Sequence, residues 1–207
     1  MNRHFFPRNP NSPRNLWGLV FPLLIFLTVT ACSGELFAQP TGPAIRIANQ
    51  TGADICEVYI SPAEAADWGL SLLPQDDRIS AGAEKTFQAS VSPADLLVRN
   101  CQAEVVYSQS EITSSVDVVI GGPQTNPLRL VNNTPTEVCY VYIVPAGQTD
   151  WGPDQLGGVE SVLAGEARLF YLTPGRYNLR ATACDDTILS EHPDREISQP
   201  DDWMIQP

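Results

Sequence analysis

The sequence predicts an all-β protein built as two tandem small disulfide-bridged β-sandwich domains behind an export signal. Three observations predict it. The chain repeats itself at a shift of 83 residues, each copy carries two cysteines at the same spacing, and hydrophobicity alternates with the period of strands. The expected order is a signal peptide over residues 1–31, a linker over 32–43, one sandwich over 44–120, a connector over 121–126 and a second sandwich over 127–207.

The signal is the first element. Arg3, Arg8 and Arg14 precede residues 16–31, which carry no charge, and this basic-then-apolar layout is that of an export signal. Pro22 interrupts the run, and Thr28, Thr30 and Ala31 make its end small and hydroxylated, so it is a poor membrane span. At that end Val29-Thr30-Ala31-Cys32 resembles the lipobox of bacterial lipoproteins. The resemblance implies lipidation of Cys32 and a membrane anchor on the extracytoplasmic side. Ser33 follows, where Asp would hold the protein at the inner membrane, so outer-membrane or surface display is expected. Ordinary cleavage after Ala38 is the alternative.

Composition narrows the partners. A formal charge of −12 disfavours nucleic acid and anionic headgroups, and 43% hydrophobic residues are enough for a packed core.

The repeat is gapless over most of its length. Arg46-Ile47-Ala48-Asn49-Gln50-Thr51 matches Arg129-Leu130-Val131-Asn132-Asn133-Thr134, Asp67-Trp68-Gly69 matches Asp150-Trp151-Gly152, Phe87 matches Phe170, and Cys101 matches Cys184. After that cysteine the shift becomes 85, where Glu111-Ile112 meets Glu196-Ile197. With Cys32 assigned to lipid, Cys56 and Cys101 form one pair and Cys139 and Cys184 its equivalent. Four cysteines allow three pairings, and a unit that folds by itself bridges within itself. An oxidising compartment preserves such bridges. At about eighty residues the core alone leaves a thin margin, and closing a loop of this length adds roughly 3 to 5 kcal/mol in the chain-entropy model.

Within Cys139-Tyr140-Val141-Tyr142-Ile143 alternation places the cysteine, valine and isoleucine on one face and both tyrosines on the other, and Cys56-Glu57-Val58-Tyr59-Ile60 repeats it. Asn49-Gln50-Thr51-Gly52 and Asn132-Asn133-Thr134-Pro135 read as the turns before these strands, a reading preferred to glycosylation acceptors. Further strands are expected over 85–89, 96–101, 105–108 and 116–120 with their partners, and one short helical turn over 62–73 and its partner. In the late strand Cys184 shares its parity with Asn178 and Arg180, so turning it inward requires a bulge or an early strand end.

The order Asn-Asn-Thr, Val-Cys-Tyr-Val-Tyr-Ile, Asp-Trp-Gly-Pro-Asp-Gln-Leu-Gly and Pro-Gly-Arg-Tyr-Asn-Leu-Arg-Ala in the second copy is similar to a family of small exported bacterial domains. The resemblance covers nearly all of the second copy. The first copy has Leu70-Ser71 where Pro153-Asp154 stands and lacks the late Pro-Gly-Arg-Tyr. It implies the domain boundaries and the paired cysteines, and no activity.

Catalytic residues are few. Beyond the signal, His192 is the only histidine and Lys85 the only lysine, and the distant cysteines do not suit zinc. A non-catalytic protein with no cofactor and no metal is expected. Asp150, Asp154, Asp185, Asp186, Glu191 and Asp194 invite calcium, but the first copy lacks most of them, so the expectation is weak binding or none. The candidate binding residues are Asp67, Trp68, Gly69, Asp150, Trp151 and Gly152. Two functions fit: an anchored binding or adhesion module for a protein or glycan of the envelope, and an envelope-structural or assembly accessory acting through the face of Tyr140 and Tyr142.

Overall fold

Alternation governs the first strand. Ile45, Ile47 and Asn49 point inward from β1 (Ala44–Gln50), while Arg46 and Ala48 face outward. The computed structural model describes residues 42–207 apart from Glu64 and Ala66. The signal, Cys32 and most of the linker lie outside the described residues. The described residues all fall within one compact unit.

The remaining strands are β2 (Ile55–Pro62), β3 (Glu84–Gln88), β4 (Ala94–Asn100), β5 (Val105–Ile112) and β6 (Val116–Gly121), then β7 (Asn126–Asn132), β8 (Tyr140–Pro145), β9 (Ala167–Leu172), β10 (Gly175–Thr182), β11 (Ile188–Ile197) and β12 (Asp201–Ile205). The expected helical turn appears later than predicted, as a single 3-10 turn at Gly157–Val159, and residues 62–73 hold no helix among the described residues. Gly157 at φ +68° reverses the chain there, which carries the turn past the predicted window.

Topology repeats as the sequence does. In the first copy β1 lies between antiparallel β3 and parallel β6, and in the second β7 lies between antiparallel β9 and parallel β12. The other sheet of each copy places β4 between β2 and β5, or β10 between β8 and β11. A parallel bridge from Val105 to Arg168 joins β5 to β9, so one sheet crosses both copies in the order β12-β7-β9-β5-β4-β2.

Each copy has a core filled from both of its sheets. Ile45, Ile47, Ile55, Val58, Leu96 and Ile120 are buried in the first, and Leu128, Leu130, Val138, Val141, Leu179 and Ile205 occupy the same positions in the second. Volume is exchanged between positions. Val98 becomes Ala181 while Val118 becomes Trp203, a loss and a gain of volume within one core. Trp203 is fully buried and its indole N–H donates to Ser190 Oγ at 2.9 Å.

Asn49 and Asn132 close the cores at one end. Asn132 Nδ2 donates to the carbonyls of Thr136 (2.8 Å) and Val162 (2.9 Å), while its Oδ1 accepts from Thr134 N (3.0 Å) and Thr134 Oγ1 (2.8 Å). Asn49 makes the same four bonds with Ala53, Ile79 and Thr51. Both amides are fully buried, so the Asn-x-Thr triplets are structural turns and not acceptors for sugar.

Disulfides join Cys56 to Cys101 and Cys139 to Cys184. Their placement corrects the alternation reading. The register of β2 on β4 shifts between Ile55 and Glu57, so Cys56 is the bulged residue and both Ile55 and Val58 turn inward. Cys139 precedes β8 and is half-buried, whereas Val138 and Val141 are buried. β10 ends at Thr182, and Cys184, like Cys101, is exposed in the following turn. The bridges therefore staple the outside of each sandwich.

Candidate binding site

The two Asp-Trp-Gly loops share one backbone device. Asp67 Oδ1 accepts from Gly69 N at 3.0 Å and Asp150 Oδ1 from Gly152 N at 3.2 Å. Both glycines are left-handed, at φ +68° and +62°. Ser71 Oγ receives the N–H groups of Val58 and Leu73 (both 3.2 Å), and Asp154 Oδ1 receives those of Val141 (2.8 Å) and Leu156 (3.1 Å). Asp154 thus ties its loop to β8 as Ser71 ties the other to β2. Burial raises the Asp154 pKa against the pull of these donors.

The tryptophans have different surroundings. Trp151 lies under the Arg180 guanidinium, 4.1 Å from its ring, with Tyr142 at 6.4 Å on a tilted plane. Glu191 holds Arg180 at 2.6 Å from the neighbouring strand. In the first copy Leu97 replaces Arg180, and Trp68 lines a pocket with Leu97, Val159 and Glu160, the last two from the second copy. Both tryptophans are half-buried. The loops are alike in backbone but do not present a matched pair of surfaces.

The acids considered for calcium are dispersed among other partners. Asp194 pairs with Arg176 (2.6 Å), Asp185 Oδ1 accepts from Thr187 N (3.1 Å), and Glu191 holds Arg180. These partners lower the pKa of Asp194 and Asp185, Arg176 and the Thr187 hydroxyl being the main causes. Among the described residues, the one group of metal-type side chains close enough to share an ion is Glu137, Cys139 and Cys184, and its sulfurs are already bridged. His192 Nε2 lies 3.3 Å from Ser190 Oγ, but that hydroxyl accepts the Trp203 indole and Asp201 is held by Arg195 at 2.7 Å. Burial lowers the His192 pKa.

A cleft lies where the copies meet. Residues of β5 and β6 form one wall, and residues 153–157 with β9 form the other, around a cavity of about 520 Å³. Tyr107, Ser108, Gln109 and Ser110 face it from one copy, Gln155 and Tyr171 from the other. Arg168, one of its lining residues, forms an ion pair with Glu160 at 3.0 Å, with side chains 6% and 4% exposed. Ser108 Oγ donates to Glu160 Oε2 at 2.5 Å. Burial raises the Glu160 pKa, with the Arg168 charge opposing it. Arg168 Nη1 reaches the Val105 carbonyl at 3.3 Å, and Arg129 pairs with Glu104 across the junction. Leu169 points away from its own core and packs into that of the first copy.

Sequence reasoning centred on the Asp-Trp-Gly loops and passed over this cleft. The signal lay in where the copies differ. Leu169 and Tyr171 stand where the first copy has Thr86 and Gln88, apolar at outward positions of a strand whose inward Phe170 matches Phe87.

No protein-family model matches the chain, and no curated protein matches it. Among solved structures, a leucine-rich repeat protein from Bacteroides thetaiotaomicron VPI-5482 is 8% identical with a TM-score of 0.31, over 78% of this chain and 25% of that one. The Bacillus anthracis TIE protein is 10% identical with a TM-score of 0.26, over 79% of this chain and 33% of that one. The chain spans about a quarter and a third of their lengths, and similarity of this size carries no argument.

Proposed function

We propose that this chain is a lipid-anchored extracytoplasmic binding module, non-catalytic, that holds a neutral glycan of the cell envelope in the cleft between its two copies. The cleft is the observation that carries the reading, because concave sites between packed domains are the usual place for small ligands. Its side chains support the ligand class. Gln109, Gln155, Ser108 and Ser110 offer neutral donors and acceptors, Tyr107 and Tyr171 offer ring surface, and the acidic chain repels anions. The anchor rests on the lipobox resemblance at Cys32 and on disulfides that persist where the compartment oxidises.

Two measurements test this. Cys32→Ser is expected to release the chain from membranes, and an unmodified mature terminus at Gln39 would sink the anchor. On an array of neutral oligosaccharides, the Cys32→Ser chain is expected to bind, and Gln109→Ala with Gln155→Ala to weaken that binding about tenfold. Binding indifferent to both substitutions, or no binding to any neutral oligosaccharide, refutes the site.

A further inference from the structure

The junction between the copies is built from one face of each, and each copy owns both faces. The docking face of the second copy is the β9 edge with Arg168 and Glu160, and the receiving face of the first is the β5 edge beginning at Val105. The first copy carries the docking face again. There β3 is a sheet edge, and Lys85 pairs with Asp77 at the positions of Arg168 and Glu160, with side chains 39% and 40% exposed. The second copy carries the receiving face again. There β11 is a sheet edge beginning at Ile188, and left-handed residues recur 83 residues on, Asp186 for Ala103 and Asp194 for Glu111, so the structure pairs Glu111 with Asp194 and not with Glu196, and the two inserted residues fall after Asp194 rather than after Cys184.

Both unused faces expose apolar side chains. Leu70, 90% exposed, and Leu72 stand at the positions of Pro153 and Gln155, and Met204 at that of Val119, all on the walls of the internal cleft, while Ile188 stands at that of Val105 in the bridge itself. These are four of the six large apolar side chains exposed among the described residues. Charge is mixed on both faces. Arg46 and Lys85 on the docking side are paired with Glu84 and Asp77, and Glu191 on the receiving side with Arg180, while Asp185 and Asp186 stand where the first copy has Gln102 and Ala103.

We propose that a second copy of this chain docks head to tail, β3 of one molecule on the start of β11 of the next, in the geometry of the internal junction. Such a contact is heterologous and builds rings or open rows. Thr86 and Gln88 replace Leu169 and Tyr171, so it is weaker than the internal junction, and tethering to one membrane raises the local concentration that forms it. The raised concentration rests on the anchor proposed above; the docking geometry rests neither on it nor on the ligand of the cleft.

Site-directed crosslinking of the full-length chain in its own membrane tests it. Val105 faces Arg168 in the internal bridge, so Ile188 faces Lys85 between molecules. Differently tagged Lys85→Cys and Ile188→Cys chains, co-expressed, are expected to form a disulfide joining the two tags, and Met204→Asp in the Ile188→Cys chain to reduce it to background. Native Cys56–Cys101 and Cys139–Cys184 links, mapped in each variant, establish that the variants are folded. With folded variants, no mixed-tag product, a Lys85→Cys homodimer alone, or a product unaffected by Met204→Asp each overturns the proposal.

Discussion

One ion pair occurs twice in this molecule in two dielectric settings. Lys85 with Asp77 is at the surface, where water and salt screen the pair and leave it little net worth. Arg168 with Glu160 is covered by the first copy, so removing the cation strands a buried carboxylate. Arg168→Ala is therefore expected to cost about 3 to 5 kcal/mol in urea denaturation, and Lys85→Ala much less. Equal losses would show that the junction does not desolvate the pair. Asn132 gives a second test, since its amide makes four buried bonds. Asn132→Ala is expected to cost about 3 kcal/mol by leaving those groups unpaired. Both asparagines were legible in the sequence as turn residues. Their burial was not, because a turn and a core plug share the same letters.

At the scale of elements, the strands were legible because alternation and the 83-residue shift both mark them, and β3, β4 and β6 fall within a residue or two of their expected bounds. The cysteine orientation was not, because one bulged residue at Cys56 reverses every parity inferred across it. Each bridge still closes a long loop. Replacing Cys139 and Cys184 together by serine is expected to cost about 4 kcal/mol, read as a lower denaturation midpoint. The β5–β9 junction has a pH signature. Burial raises the Glu160 pKa above the ordinary 4.5. A raised carboxyl stabilises the fold fully below its unfolded value, and that stability is lost as pH rises through the folded value. The wild type is expected to lose stability on going from pH 4.5 upward to neutrality relative to Glu160→Gln, whose side chain does not titrate. Parallel pH profiles of the two proteins would remove Glu160 as the cause.

At the scale of the whole molecule, the two copies are joined into one structural body. A sheet crosses both, and Leu169 of the second copy lies in the core of the first. One thermal transition is expected by both far-ultraviolet and tryptophan signals, and Leu169→Asp is expected to split it by unfolding the first copy at lower temperature. A single transition in that variant would mean the copies are coupled elsewhere.

The parallel pairing of β1 with β6, and of β7 with β12, has a mechanical consequence. The chain enters each copy at one end of the first strand and leaves at the opposite end of the last. Tension applied between the two termini therefore drags these neighbours lengthwise past each other. The rungs from Ile45 and Val116 to Gln50 and Gly121 share that load together, instead of opening singly from one end. When a copy yields, the segment between Cys56 and Cys101, or Cys139 and Cys184, stays closed by its disulfide and adds no slack. A molecule held by one end and pulled at the other is thus both stiff and short-travelled.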